Sequence, residues 1–136
     1  MSVNYKCVLF CEDIRQEVGG RVSLMGILGN KLLVQDFPLV FPKLCLFIEW
    51  GVVKENLNVT LNIIPPDGVQ LSSAHPTANI AAQQGVISRS MIVLTNFAFP
   101  KAGEYIFEFI VNNQVISREI FLVEKYNPNI PASKIN

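Results

Sequence analysis

Apolar and polar residues alternate with a period of two along most of the chain, the pattern of half-buried β-strands. Leu57–Ile64 is the cleanest case. Leu57, Val59, Leu61 and Ile63 fall on one face and Asn58, Thr60 and Asn62 on the other, which predicts a strand with one wet face. Residues 5–14 place Cys7, Leu9 and Cys11 on one face and Val8 and Phe10 on the other, so a central strand is expected there. Gly19-Gly20 marks a turn, and Val22–Leu28 returns as a second strand, giving a hairpin with a longer loop. Lys31–Val34, residues 44–52 with the sole tryptophan Trp50, and residues 88–97 read as further strands. Pro65-Pro66-Asp67-Gly68 is a turn by its chemistry, after which residues 69–72 are expected to return as a strand. Thr77 is placed to cap a short helix over residues 78–84, with Gly85 as its stop.

The C-terminal half carries the most regular stretch. Tyr105, Phe107, Phe109 and Val111 share one face, with Glu104, Ile106, Glu108 and Ile110 on the other. Asn112-Asn113 suits a two-residue primed turn, because asparagine tolerates the left-handed conformation. In that register Val111 faces Gln114, Phe109 faces Ile116, Tyr105 faces Ile120, and Arg118 opposes Phe107 as the odd member of an apolar face. Val115 and Phe121 then share the outward face with Ile106 and Ile110. Seven to nine short strands with frequent turns predict an all-β protein, an antiparallel β-sandwich. Residues 1–125 form its one domain. Residues 126–136, with two prolines and no periodicity, form a tail or arm.

Two resemblances bear on the fold. Lys101-Ala102-Gly103-Glu104-Tyr105-Ile106-Phe107 resembles the tyrosine-corner region of immunoglobulin-like domains. Gly103 and Tyr105 match it, while Lys101 stands where those domains often carry Asp and Phe107 where they carry a cysteine. The run from Cys11 through Glu12, Asp13, Ile14, Arg15, Gln16, Glu17, Val18, Gly19, Gly20, Arg21 and Val22 to Gly29 is similar to the signature of an uncharacterised family of small bacterial or phage proteins. The later Phe-Pro, Pro-Lys-Leu-Cys and Pro-x-x-Gly-x-Tyr-x-Phe elements fit the same resemblance. It implies a single β-rich domain and brings no activity with it.

Composition sharpens the picture. Half of the 136 residues are apolar and only 16% are charged, against about 25% in an average domain. Either the core is large, or apolar surface meets a partner. Eleven basic residues balance eleven acidic ones, and no two basic residues are adjacent, which argues against a nucleic-acid partner. The N-terminus lacks a basic segment followed by a long apolar one, and no apolar run approaches the ~18 residues of a membrane span. A soluble, cytoplasmic protein without a membrane partner is expected. Cys7 and Cys11 lie about 13 Å apart in a strand, too far for a disulfide. Cys45 could still meet one of them across strands.

Four groups were candidates for chemistry or contact. Asp67, Ser72, Ser73 and His75 mimic a triad, but they lie in one loop region without a nucleophile elbow. Glu12, Asp13, Arg15, Glu17 and Arg21 flank the Gly19-Gly20 turn. They read as locally paired hairpin charges, a recognition loop, or a weak cation site, the last disfavoured by the interleaved arginines. Phe97, Phe99, Tyr105, Phe107 and Phe109 have the spacing of core residues. The segment 37–42, with Phe37 and Phe41, either plugs one end of the sandwich or forms an exposed contact. No catalytic residue, cofactor or metal site is expected. The resulting expectation is a non-enzymatic interaction or structural module, a homo-oligomer joined through Ile106, Ile110 and Phe121 unless the tail from Tyr126 onward covers that face, with another protein as a further partner. A ligand-binding protein or enzyme with a site built from distant loops is one alternative, and a phage or surface assembly component is the other.

Overall fold

Alternation along the chain becomes nine strands in the computed structural model, which describes residues 7–68 and 76–126. They are β1 (Cys7–Gln16), β2 (Val22–Leu28), β3 (Lys31–Val34), β4 (Leu39–Val52), β5 (Leu57–Ile64), β6 (Thr77–Ile80), β7 (Ile87–Phe99), β8 (Gly103–Val111) and β9 (Gln114–Lys125). One sheet has the order β2-β1-β4-β7 and the other β3-β9-β8-β5-β6. The protein is an all-β sandwich. Taking β1, β4 and β7 as strands A, B and E, and β5, β8 and β9 as C, F and G, the order follows the immunoglobulin arrangement. Among the described residues no helix is long and apolar enough to cross a membrane.

The core lies between the sheets. Leu44, Leu46, Ile48 and Trp50 of β4 meet Val59 and Leu61 of β5, Tyr105, Phe107 and Phe109 of β8, and Phe121 and Val123 of β9. Aromatic rings fill its centre: Phe10 sits edge-on to Phe107 at 5.0 Å and Phe99 stacks on Phe121 at 5.5 Å. Trp50 Nε1 donates to Ser90 Oγ at 2.8 Å, so its one polar atom is satisfied inside the core. The tyrosine corner forms as its residues suggest. The Tyr105 hydroxyl donates to the Lys101 carbonyl at 2.7 Å. Gly103 has φ +138°, and a Cβ there would stand 2.5 Å from Pro66 Cγ. Only glycine allows β8 to start this close to the Pro65-Pro66 turn.

Several expectations need correction. Asn112 and Asn113 do make the primed turn, with φ of 51° and 63°, and Val111 does pair with Gln114. The register then slips by one: Ile110 pairs with Val115 but Phe109 pairs with Ser117. Ile116 is the extra residue of a β-bulge, and every later side chain of β9 changes face. Phe121 is therefore fully buried opposite Tyr105, not outward. Ile120 takes the outward position, and Arg118 opposes Glu108 instead of Phe107.

The helix expected over residues 78–84 is absent. Thr77–Ile80 instead pairs with β5 from Thr60 to Leu57, and Asn56 Oδ1 accepts from the Ala82 N–H at 2.8 Å. Pairing the open edge of β5 and burying Ile80 outweigh the helical propensity of the alanines and glutamines in this segment. The sandwich is antiparallel except where β3 pairs parallel with β9. These two strands are far apart in sequence, so no tight turn forces them antiparallel.

Of residues 37–42, only Phe37 and Pro38 lie outside a strand. Leu39, Val40 and Phe41 already belong to β4, after a cis Phe37-Pro38 bond. Pro42 is tolerated because β1 pairs with β4 only from Glu49 to Cys45, which leaves no strand on that side at Pro42. The first strand ends two residues later than expected, at Gln16, and the hairpin loop is correspondingly shorter. Residues 69–72, the N-terminal part of the first expected strand and residues 127–136 lie outside the described residues.

Candidate functional site

The centre of the outward face of the five-stranded sheet carries three cross-strand rows. Ile64, Ile106 and Ile120 form the first, Asn62, Glu108 and Arg118 the second, and Thr60, Ile110 and Val115 the third. Each row arises because same-face residues of neighbouring strands stand side by side. Ile120 is 50% exposed and Val115 41%, while Ile64, Ile106 and Ile110 are half-buried. An apolar row thus flanks each side of a polar one.

The polar row is fully paired. Asn62 Nδ2 donates to Glu108 Oε1 at 3.0 Å, and Arg118 Nε donates to Glu108 Oε2 at 2.7 Å. Glu108 is only 7% exposed. The Asn62 hydrogen bond chiefly holds its carboxyl below the ordinary value of 4.5, with help from Arg118 and against the opposing effect of burial. Arg118 itself remains largely exposed, so its guanidinium covers the carboxylate and presents a cation on the face. At the sheet margin Lys31 and Glu124 pair at 3.3 Å.

Of the residues singled out from sequence, Ile106 and Ile110 meet on this face with Val115. Phe121 does not, because of the bulge. Ile120, which sequence reasoning placed inward, is the most exposed large apolar residue of the face. The signal that could have exposed the slip was Arg118: an arginine among core aromatics suggested that the register was off by one.

The charged set around the first hairpin divides. Beyond Cys11, β1 leaves β4 and continues with β2 as a two-stranded arm. Gln16 Nε2 reaches Met91 Sδ at 3.9 Å, so the end of the arm lies near β7. Asp13 pairs with Lys43 at 3.0 Å and more loosely with Arg15 at 3.7 Å. The Lys43 hydrogen bond chiefly draws the Asp13 carboxyl down, and the same bond raises the Lys43 ammonium. Glu12 instead lies over Gly26, whose absent Cβ would meet its side chain at 3.0 Å. Glu17 and Arg21 line an open groove of about 850 Å³ with Glu49, Arg89 and Phe47. The five residues do not converge on one point.

Phe37 and Phe41 pack against the core, with Phe41 edge-on to Phe99 at 5.9 Å, while Val40 between them is exposed. Phe99, Tyr105, Phe107 and Phe109 are buried and Phe97 packs against them. Asp67 forms an ion pair with Lys101. Ser72, Ser73 and His75 lie outside the described residues. Cys11 and Cys45 face each other across β1 and β4, both buried and both free thiols. Burial first, then the neighbouring Cys45, pushes the Cys11 thiol up to about 11.

The model of a family described as a family of unknown function (DUF6941) matches residues 6–124. No curated protein matches the chain.

Proposed function

From the premise that this chain belongs to that family of unknown function, we propose that it is a non-enzymatic, cytoplasmic interaction module that self-associates through the outward face of the five-stranded sheet. One observation carries the reading: two partly exposed apolar rows flank a polar row whose buried carboxylate is already satisfied within the subunit. Covering this face removes isoleucine and valine from water at about 25 cal/mol per Å², and it strands no buried charge, because Glu108 keeps both partners. Closed twofold pairs are the commonest oligomers, so a second copy is the partner this reading takes.

Size exclusion with light scattering tests it. A mass of at least a dimer is expected at micromolar concentration. Ile120→Glu should lower that mass while leaving the unfolding midpoint near wild type. An unchanged mass in a folded variant would contradict the reading.

A second reading, a ligand-binding protein, is favoured by the groove, where Glu17, Arg21, Glu49 and Arg89 place both signs of charge around Phe47. Calorimetric titration with dipeptides is the probe. Saturable heat that disappears in Arg89→Ala would support this reading, and no heat at millimolar ligand would discard it.

A further inference from the structure

Four strands end the two sheets, and three of them are poor templates for pairing. β3 and β6 have four residues each. β2 is interrupted by Gly26 at φ +66°. Short or kinked edges are the usual protection against unwanted strand addition. β7 is different. It has 13 residues, no proline, and Arg89 as its single charge. It is paired on one side only, to β4. Among the described residues, no other backbone hydrogen bond joins Ile87–Phe99 to the rest of the chain.

The topology explains the opening. In an immunoglobulin-type sheet, strand D lies beside strand E. Here β7 takes the place of E, and the link from β6 is only the short run 81–86, so among the described residues no strand lies where D would be. At its start β7 is held by that link, since Ser88 Oγ donates to the Ala81 carbonyl at 3.3 Å. At its far end Asn96, with φ 51°, breaks the extended run. Residues 89–95 between them form a regular edge. Val93 stands 49% exposed on the outward side, and Ile92 and Leu94 are buried on the inner side.

We propose that this edge is a strand-pairing site for a second copy of the chain, joined β7 to β7 antiparallel so that two four-stranded sheets become one of eight. This goes beyond the contact on the five-stranded sheet and uses the opposite layer of the sandwich. A twofold centred on Ile92 pairs Met91 of each copy with Val93 of the other, Ser90 with Leu94, and Arg89 with Thr95. No like charges meet, and the apolar outward residues face one another. The twofold uses up both edges, so the pairing closes instead of propagating as a fibre. Main-chain hydrogen bonds supply the attraction, as in other strand additions. A copy that uses both surfaces has two neighbours, which gives the chain the connectivity of an assembly component.

Four proteins examined by light scattering separate the two contacts. Wild type should exceed a dimer. Ile120→Glu should remain a dimer through β7. Val93→Lys, which sets two cations close to the twofold but leaves a solvated side chain in the monomer, should remain a dimer through the other sheet. The double variant should be a monomer. Ile120→Glu as a monomer at every concentration overturns the β7 proposal and leaves the first contact standing. Val93→Lys as a monomer does the reverse. Hydrogen exchange on Ile120→Glu needs no change in β7: amides within residues 89–95 should exchange several-fold more slowly at high than at low protein concentration. Concentration-independent exchange overturns the proposal even if Val93→Lys fails to fold.

Discussion

Phe121→Ala and Ile120→Ala test the register of the last strand, on which the whole outward face depends. Phe121 is fully buried. Its ring stacks on Phe99 at 5.5 Å and lies 5.1 Å from Phe10 and 6.2 Å from Phe107. Truncating such a residue leaves a cavity among rings that cannot collapse freely, and phenylalanine-to-alanine changes of this kind cost about 3–5 kcal/mol. That is a large part of the roughly 5–15 kcal/mol that holds a domain together. Ile120 is half exposed. Full burial of such a side chain is worth about 1.5–3 kcal/mol, so its truncation should cost about 1 kcal/mol or less. With a urea slope of about 2 kcal/mol per molar, the midpoints should fall by about 2 M and by less than about 0.5 M respectively. The measurement is made at submicromolar concentration, so that association does not contribute. An unbulged hairpin places Ile120 inward and Phe121 outward. Equal losses, or the larger loss at Ile120, would refute the bulge and with it the three-row face.

Two further outcomes follow from the buried polar groups. The folded-state carboxyl of Glu108 lies below its ordinary value, so its contribution to stability is present above about pH 4.5 and is lost as pH falls through the depressed value. Asn62→Ala, which removes the leading cause, should flatten this acid loss in a series of urea midpoints from pH 6 to pH 2, and an unchanged slope would count against the pairing. For the thiols, the partly exposed Cys7 should react quickly with a thiol reagent at pH 8, while buried Cys11 and Cys45 react slowly. Three thiols should appear in denaturant without reductant. A count of one would reveal a Cys11–Cys45 disulfide, which their cross-strand opposition permits sterically.

Much of the fold was legible because its signals are local. The period-two runs gave Val22–Leu28, Lys31–Val34 and Leu57–Ile64 their observed bounds, and Asn112-Asn113 specified its turn. Tyr105 and Gly103 marked the corner two residues apart. What stayed hidden depends on distant partners. Ile116 bulges without a glycine or proline to announce it, and one unannounced residue reversed the faces of Phe121 and Ile120. Residues 77–80 pair with β5 because an edge is available, which their own sequence does not show. Pro42 lies within β4 only because β1 departs beforehand. The candidate site was half visible for the same reason. The outward positions of Ile106 and Ile110 were read from alternation, but the Asn62–Glu108–Arg118 row requires the bulged register and a third strand, β5, from an earlier part of the chain.

The central claim is that the Ile64–Ile106–Ile120 row is covered in solution by another copy. Isoleucine methyl resonances, recorded with a soluble paramagnetic agent across a dilution series, test this without any substitution. At high concentration the methyl groups of Ile64, Ile106 and Ile120 should be shielded from broadening and should lose that shielding on dilution, while Ile27 of β2, 57% exposed on the other sheet, broadens equally throughout. Broadening of Ile120 that matches Ile27 at every concentration would contradict the claim.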